Sequence, residues 1–122
     1  MNNVQLVGRV AVEPKLRTTT KGKPYMRLVI AVPGYWDRKA KEMTTDFIPV
    51  KFWAQEATRC QHLMKGSLIA VTGRVAVSQY PAKNGNEVEY VTEIIGESVQ
   101  FLAKPKSAME TAGNHAKKAV AR

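Results

Sequence analysis

The stretch DFIPVKFW, residues 46–53, is where residue type and spacing first suggest chemistry. Read as a strand, its side chains alternate between two faces. Phe47, Pro49, Lys51 and Trp53 share one face, and Ile48, Val50 and Phe52 share the other. The second face is ordinary core. The first sets a lysine between two aromatic rings, and a wet face carrying two rings needs a reason. Ring, cation, ring at strand spacing suits a surface on which bases stack while lysine neutralises phosphate. A continuous apolar run equally fits a strand buried on both faces, as in a sandwich. From this stretch alone both readings stand.

A second tryptophan lies in GYWDRKAKEMTT, residues 34–45, which reads as a long basic hairpin loop. Trp36 either folds back to cap the core, since indole needs only one hydrogen-bond partner, or stands in reach of a ligand beside Arg38, Lys39 and Lys41. Other chemistries are poorly served. Cys60 is alone, so no disulfide forms within the chain, and its place on an apolar helical stripe makes it an inert core thiol. His62 falls on the polar side of that helix with no neighbouring ligand. A metal-dependent nuclease needs clustered carboxylates. Glu87, Glu89 and Glu93 share a strand face, but no His or Asp joins them. There is no phosphate-cradling Gly-Lys loop and no Ser-His-Asp set. The expectation is a protein that is not an enzyme, with no metal and no cofactor.

Length and charge narrow the class. The chain has 122 residues, enough for one domain with a modest core. Its 44% hydrophobic and 24% charged residues are ordinary for a globular protein. No run approaches the ~18 apolar residues of a membrane span, and MNNVQLVGRV lacks the features of a signal peptide. A single cysteine fits a reducing interior, so a cytoplasmic location is expected, which a nucleic-acid partner would make nucleoid-associated. The net charge of +9 favours a polyanionic partner, nucleic acid or an anionic membrane. No basic amphipathic helix with a strong apolar face argues for membrane. Residues 1–102 carry +5 and residues 103–122 carry +4. Basic residues crowd the first half of the body and Glu87, Glu89, Glu93 and Glu97 come late, so one side should be much more positive than the other.

Hydropathy alternation predicts the elements that must position these residues. Residues 3–12 read as a first strand with Val4, Leu6, Val10 and Val12 inward, Gly8 marking a bulge, a bend or a close backbone approach. Residues 25–32 form a second, ended by Pro33-Gly34, with Met26, Leu28, Ile30 and Val32 on one face and Tyr25, Arg27, Val29 and Ala31 on the other. Residues 46–53 are the third, in which Pro49 must face a gap, a bulge or an edge. Residues 55–65 form the one helix, with a stripe of Ala57, Cys60, Leu63 and Met64 and Gly66 as its left-handed cap. Residues 67–80 make a long strand with Ile69, Val71, Val75 and Val77 on one face. Asn84-Gly85 marks a hairpin turn into residues 87–95. Gly96 breaks that strand, and residues 98–102 give a short last piece. Beyond 102 the composition turns to Ala, Lys, Gly and Asn. Ser107 and Glu110 have only a weak capping-box spacing, so a flexible basic tail is expected.

Five strands with one helix between the third and fourth match an all-β OB-fold, a five-stranded Greek-key barrel. A barrel buries one face of each strand, which leaves room for Phe47, Lys51 and Trp53 outside. Several pieces together resemble the bacterial-type single-stranded DNA-binding protein family. They are NNVQLVGRV, TTTKGKPYMRLVIAV, TDFIPVKFWAQEA, LMKGSLIAVTGRV, QYPAKNGNEVEYVTEI and GESVQFL, and they cover nearly all of residues 2–102 in order.

The resemblance implies a binding domain over 1–102 that coats and protects single strands in replication, recombination, repair or DNA uptake. It puts Trp36, Phe47, Trp53 and Tyr80 at stacking positions. The cations assigned to phosphate are Lys51, Arg27, Arg74, Arg9, Lys23 and Lys39. It also implies a homotetramer joined through residues 3–9. Longer family members end in an acidic, apolar tip that recruits other enzymes. The sequence here ends in AKKAVAR, so such recruitment is not expected and an accessory role carried for competence, a plasmid or a phage would fit. An RNA-binding or primosome-type OB-fold protein is the alternative, because nothing in the residues reads the 2′-OH.

Overall fold

A computed structural model describes residues 1–83, 85 and 87–105. Asn84 of the hairpin turn and residues 106–122 of the basic tail, with the capping-box pair in it, lie outside the described residues. The strands are β1 (Val4–Val10), β2 (Arg17–Thr18), β3 (Pro24–Asp37), β4 (Glu42–Trp53), β5 (Leu68–Pro81) and β6 (Val88–Ala103). Helix α1 (Ala54–Arg59) follows β4 and runs into a 3₁₀ turn, Cys60–His62. The sheet order is β1-β5-β6-β4-β3-β2, and β1 also pairs with β3. That extra pairing closes five strands into a barrel, with β2 a two-residue addition at the edge. All pairings are antiparallel except β4 with β6. The fold is the expected all-β barrel with one short helix, consistent with an OB-fold.

Closure settles which face of each strand is dry. Met26, Leu28 and Ile30 of β3, Val50 and Phe52 of β4, Ile69 and Val71 of β5, and Val10 of β1 fill the interior. Ala57 and Cys60 plug it from the helix. Each fully buried large side chain contributes about 1.5–3 kcal/mol. Phe47 and Pro49 are exposed and Lys51 and Trp53 half-buried, so the sandwich reading of residues 46–53 does not hold.

The barrel depends on glycines where backbones meet side chains. A Cβ on Gly96 of β6 would run into the Phe52 ring, and one on Gly8 of β1 would meet the Ala31 carbonyl of β3. Gly8 thus marks the close backbone approach among its expected meanings. The parallel seam pairs only Val50 with Ile94 and Lys51 with Ile95. Pro49, which has no N–H to donate, lies just outside it, as a gap-facing proline should.

Several sequence-based expectations are corrected. Pro33-Gly34 does not end the second strand, and residues 34–45 are not a long loop. β3 and β4 continue to Asp37 and Glu42, leaving a turn at 38–41. The ladder slips between Pro33 and Trp36, and the Thr44 hydroxyl bridges the slip, accepting from Tyr35 N–H at 2.8 Å and donating to its carbonyl at 3.1 Å. The Asp37 carboxylate then accepts the N–H groups of Lys39 and Ala40, fixing the turn.

The helix is shorter than 55–65. Gly66 N–H donates to the Val10 carbonyl at 2.7 Å and Val10 N–H to the Ser67 carbonyl at 2.9 Å, which draws the chain back to β1. Leu63 is already extended, so Gly66, with φ +93°, serves this turn rather than capping the helix. Met64 is exposed rather than part of the buried stripe. Val12 lies past the end of β1 and is exposed. Gly96 does not break the last strand, because β6 runs through it, and Val75 and Val77 are exposed where β5 passes beyond the barrel.

Two outcomes follow from this packing. Gly96→Ala should lower stability by about 1–3 kcal/mol through overpacking against Phe52, read as a lower urea midpoint with unchanged slope. Burial, with help from nearby Glu56, pushes the Cys60 thiol up to about 12. Raised above its unfolded value of 9.0, the thiol contributes stability that is full below pH 9 and lost as pH rises toward 12. Maleimide at pH 8 should therefore label Cys60 only in denaturant.

Candidate nucleic-acid interface

The outward positions of β3 and β4 come into register as pairs. Tyr25 lies opposite Trp53, Arg27 opposite Lys51, Val29 opposite Pro49 and Ala31 opposite Phe47. Directly opposed side chains on one sheet face interact. The Tyr25 and Trp53 ring centres are 5.6 Å apart, tilted by 41°. Lys51 Nζ is 4.7 Å from the Trp53 ring centre and 5.4 Å from that of Tyr25. Lys23 Nζ also lies 4.7 Å from the Trp53 centre. Each such contact is worth about 0.5–1 kcal/mol when exposed. Lys51 also pairs with Glu93 of β6, with Nζ 3.9 Å from Oε2.

Two grooves flank this cluster. One, of ≈ 450 Å³, lies between β4 and β6, lined among others by Arg27, Pro49, Lys51, Val91 and Glu93. The other, of ≈ 520 Å³, is lined by Glu13, Lys15, Arg17, Tyr25 and Arg27 with Val12 and Val29. Arg27 borders both. The arrangement offers tilted rings, cations beside them and a mostly apolar groove between β4 and β6, which can hold planar groups joined by anions.

The structure thus brings Trp53, Lys51, Arg27 and Lys23 together, and sets Phe47, 64% exposed, farther along the same face. It does not bring the rest into that cluster. Trp36, 55% exposed, and Lys39 lie toward the tip of the β3–β4 hairpin, with Trp36 opposite Met43. Trp36 does not cap the core. Tyr80 stands on the β5–β6 hairpin opposite Glu89, and exposed Arg74 lies opposite Ile95. The Arg9 guanidinium donates to the carbonyls of Gly66 and Lys104, each at 3.1 Å, fastening β1 to the end of β6.

Sequence reasoning missed Tyr25 and Arg17, which pair across β2 and β3 in line with Trp53. Tyr25 shares a strand face with Arg27, a signal that was available, but its partner across the sheet was not. Among the described residues, no group of three or more His, Cys, Asp or Glu side chains is placed to hold a metal ion. No helix among them is long and apolar enough to cross a membrane.

Residues 1–102 match the model of the single-strand binding protein family. A single-stranded DNA-binding protein of Bacillus cereus is 37% identical over 115 residues, covering 93% of this chain and 67% of that protein. Single-stranded DNA-binding protein 1 of Staphylococcus aureus strain Mu50 is 38% identical, covering 91% and 70%. Single-stranded DNA-binding protein 3 of Listeria innocua is 42% identical over 103 residues, covering 84% and 64%. The chain spans about two thirds of the length of these relatives. A family model over nearly the whole barrel, joined by relatives at this identity, means that the chain belongs to the single-strand binding protein family.

Proposed function

We propose that this chain binds single-stranded DNA without reading its sequence. The observation that carries the reading is the Tyr25–Trp53 pair with Lys23 and Lys51 beside it on the outer face of the barrel, and membership of the single-strand binding protein family supports it. Bases stack on the rings while lysine and arginine neutralise phosphate. Every base has a π-face, so stacking tolerates any sequence. A duplex keeps those faces inside, which selects for single strands.

In this reading Trp53, Tyr25, Lys51, Lys23 and Arg27 form the centre of the path. Phe47, Trp36 and Lys39 extend it along one hairpin, and Tyr80 and Arg74 along the other. Arg9 contributes through the donors left over by the one terminal nitrogen that holds the Gly66 and Lys104 carbonyls. Residues 103–122, net +4, add a cationic segment that strengthens binding at low salt. The chain assembles with copies of itself, as a tetramer, through residues 3–9, where Asn3 before β1 and Gln5 and Val7 on it are exposed. It acts in the cytoplasm, coating strands exposed during replication, recombination, repair or DNA uptake, without catalysis.

Titration with oligo(dT) should quench tryptophan fluorescence strongly. Trp53→Ala and Trp36→Ala should each weaken binding by about 1–3 kcal/mol with the fold intact by circular dichroism, Trp53→Ala alone also lowering the unfolding temperature through its lost contacts with Tyr25, Lys23 and Lys51. Emission that ignores DNA would remove the rings from the site. The logarithm of affinity should fall linearly with the logarithm of salt, by about 0.7 per phosphate neutralised. Arg27→Ala should flatten that slope. An equal affinity for oligo(U) would extend the reading to RNA, and an affinity indifferent to salt would contradict it.

A further inference from the structure

We propose that Glu93 is an internal competitor for phosphate, occupying Lys51 until a nucleic-acid strand displaces it. The inference rests on the single-strand binding reading of this face. Two ion pairs occur among the described residues. Arg59 with Glu56 is a local pair on α1. Lys51 with Glu93 instead spans the β4–β6 seam, joining residues far apart in sequence. Arg17, Lys23 and Arg27, the other cations of the face, form no ion pair among the described residues. Glu93 therefore bears on the one lysine, among the described residues, that also stands over both rings.

The position suits competition. Lys51 and Glu93 both line the ≈ 450 Å³ groove beside the rings. Their side chains are only 25% and 26% exposed, so water and salt screen them less than a surface pair. A carboxylate and a phosphate are both oxyanions, and the ammonium serves either. A strand that lays a base on Trp53 and brings its phosphate to Lys51 sets two oxyanions at one ammonium, and their mutual repulsion favours release of the loosely held Glu93 carboxylate, 3.9 Å away. Two consequences follow. Binding is weaker than the rings and cations would otherwise give. It is also less salt-dependent, because the counterion released from DNA is partly matched by a cation taken up at the freed carboxylate. Glu93 thus sets how firmly the face grips and how steeply salt loosens it.

The test is a double-mutant cycle with Glu93→Gln and Lys51→Ala, read by oligo(dT) titration from low to high salt. Glu56→Gln removes the same charge from the other pair and serves as control. Glu93→Ala guards against a glutamine-specific effect, and circular dichroism confirms that each variant folds. Glu93→Gln should tighten binding about two- to fivefold at low salt, steepen the salt slope and lose its advantage at high salt. The gain should be larger with Lys51 present than in the Lys51→Ala background, since only then is a pair broken on binding. Glu56→Gln should change affinity by less than about twofold. A gain equal or larger without Lys51 would mean plain repulsion of DNA by Glu93 and would overturn the proposal. Wild-type protein that fails to bind oligo(dT) would sink the function and this inference together. Normal wild-type binding with no effect of Glu93→Gln would sink the inference alone.

Discussion

The contact of the Phe52 ring with the bare Cα of Gly96 decides what the barrel can be. β4 and β6 run parallel and share only two residue pairs, so little ladder hydrogen bonding holds that seam. Packing must do what the ladder does not. Phe52 is fully buried and fills the space a side chain on Gly96 would need. With the seam closed, β1 can pair with β5 on one side and β3 on the other, and every strand gains one dry and one wet face.

The candidate site is the wet side of that arrangement. Residues that alternate with Val50 and Phe52 must point outward, and cross-strand register places Lys51 beside Arg27 and Trp53 beside Tyr25. Exposed rings carry a solvation cost. Here it is partly offset by ring-ring and ring-cation contacts on the same face. The seam adds Glu93, which reaches Lys51 only because β6 lies next to β4. The core contact and the electrostatics of the face are consequences of one strand pairing.

Much of this was legible in the sequence. The two faces of residues 46–53 and 25–32 follow from period-two alternation, and Ala57 and Cys60 were read correctly as core. Whether the outer face was wet could not be read locally, because an apolar run is compatible with burial on both sides. Only closure decides it. Pro33-Gly34 and Gly96 were read as strand ends from their residue types. In the fold the Thr44 hydroxyl carries β3 across the first, and the Phe52 ring explains the second. Both reasons come from neighbours across the sheet. Tyr25 and Glu93 do not stand out in the sequence for the same cause, since their contacts with Trp53 and Lys51 arise only across β4. Arg9 was assigned by charge, but its carbonyl partners lie far away in sequence.

The face has a firm centre and less firmly held ends, and the backbone explains the difference. Trp53 is the last residue of β4, and the chain turns sharply after it, with Ala54 at φ +53°. A left-handed alanine costs roughly 1–2 kcal/mol. That cost is offset because the turn aims α1 so that Ala57 and Cys60 enter the core. Trp53 is thus fixed from both sides, by a buried strand and a buried helix. Trp36 and Tyr80 stand on hairpins that run past the barrel, among exposed residues such as Tyr35, Met43, Val77 and Tyr90. Segments with little buried contact open at lower free energy than the core. In the proposed reading, a strand on this surface would meet a preorganised ring pair at the centre and less firmly held rings on the two hairpins, an arrangement that suits sequence-independent stacking.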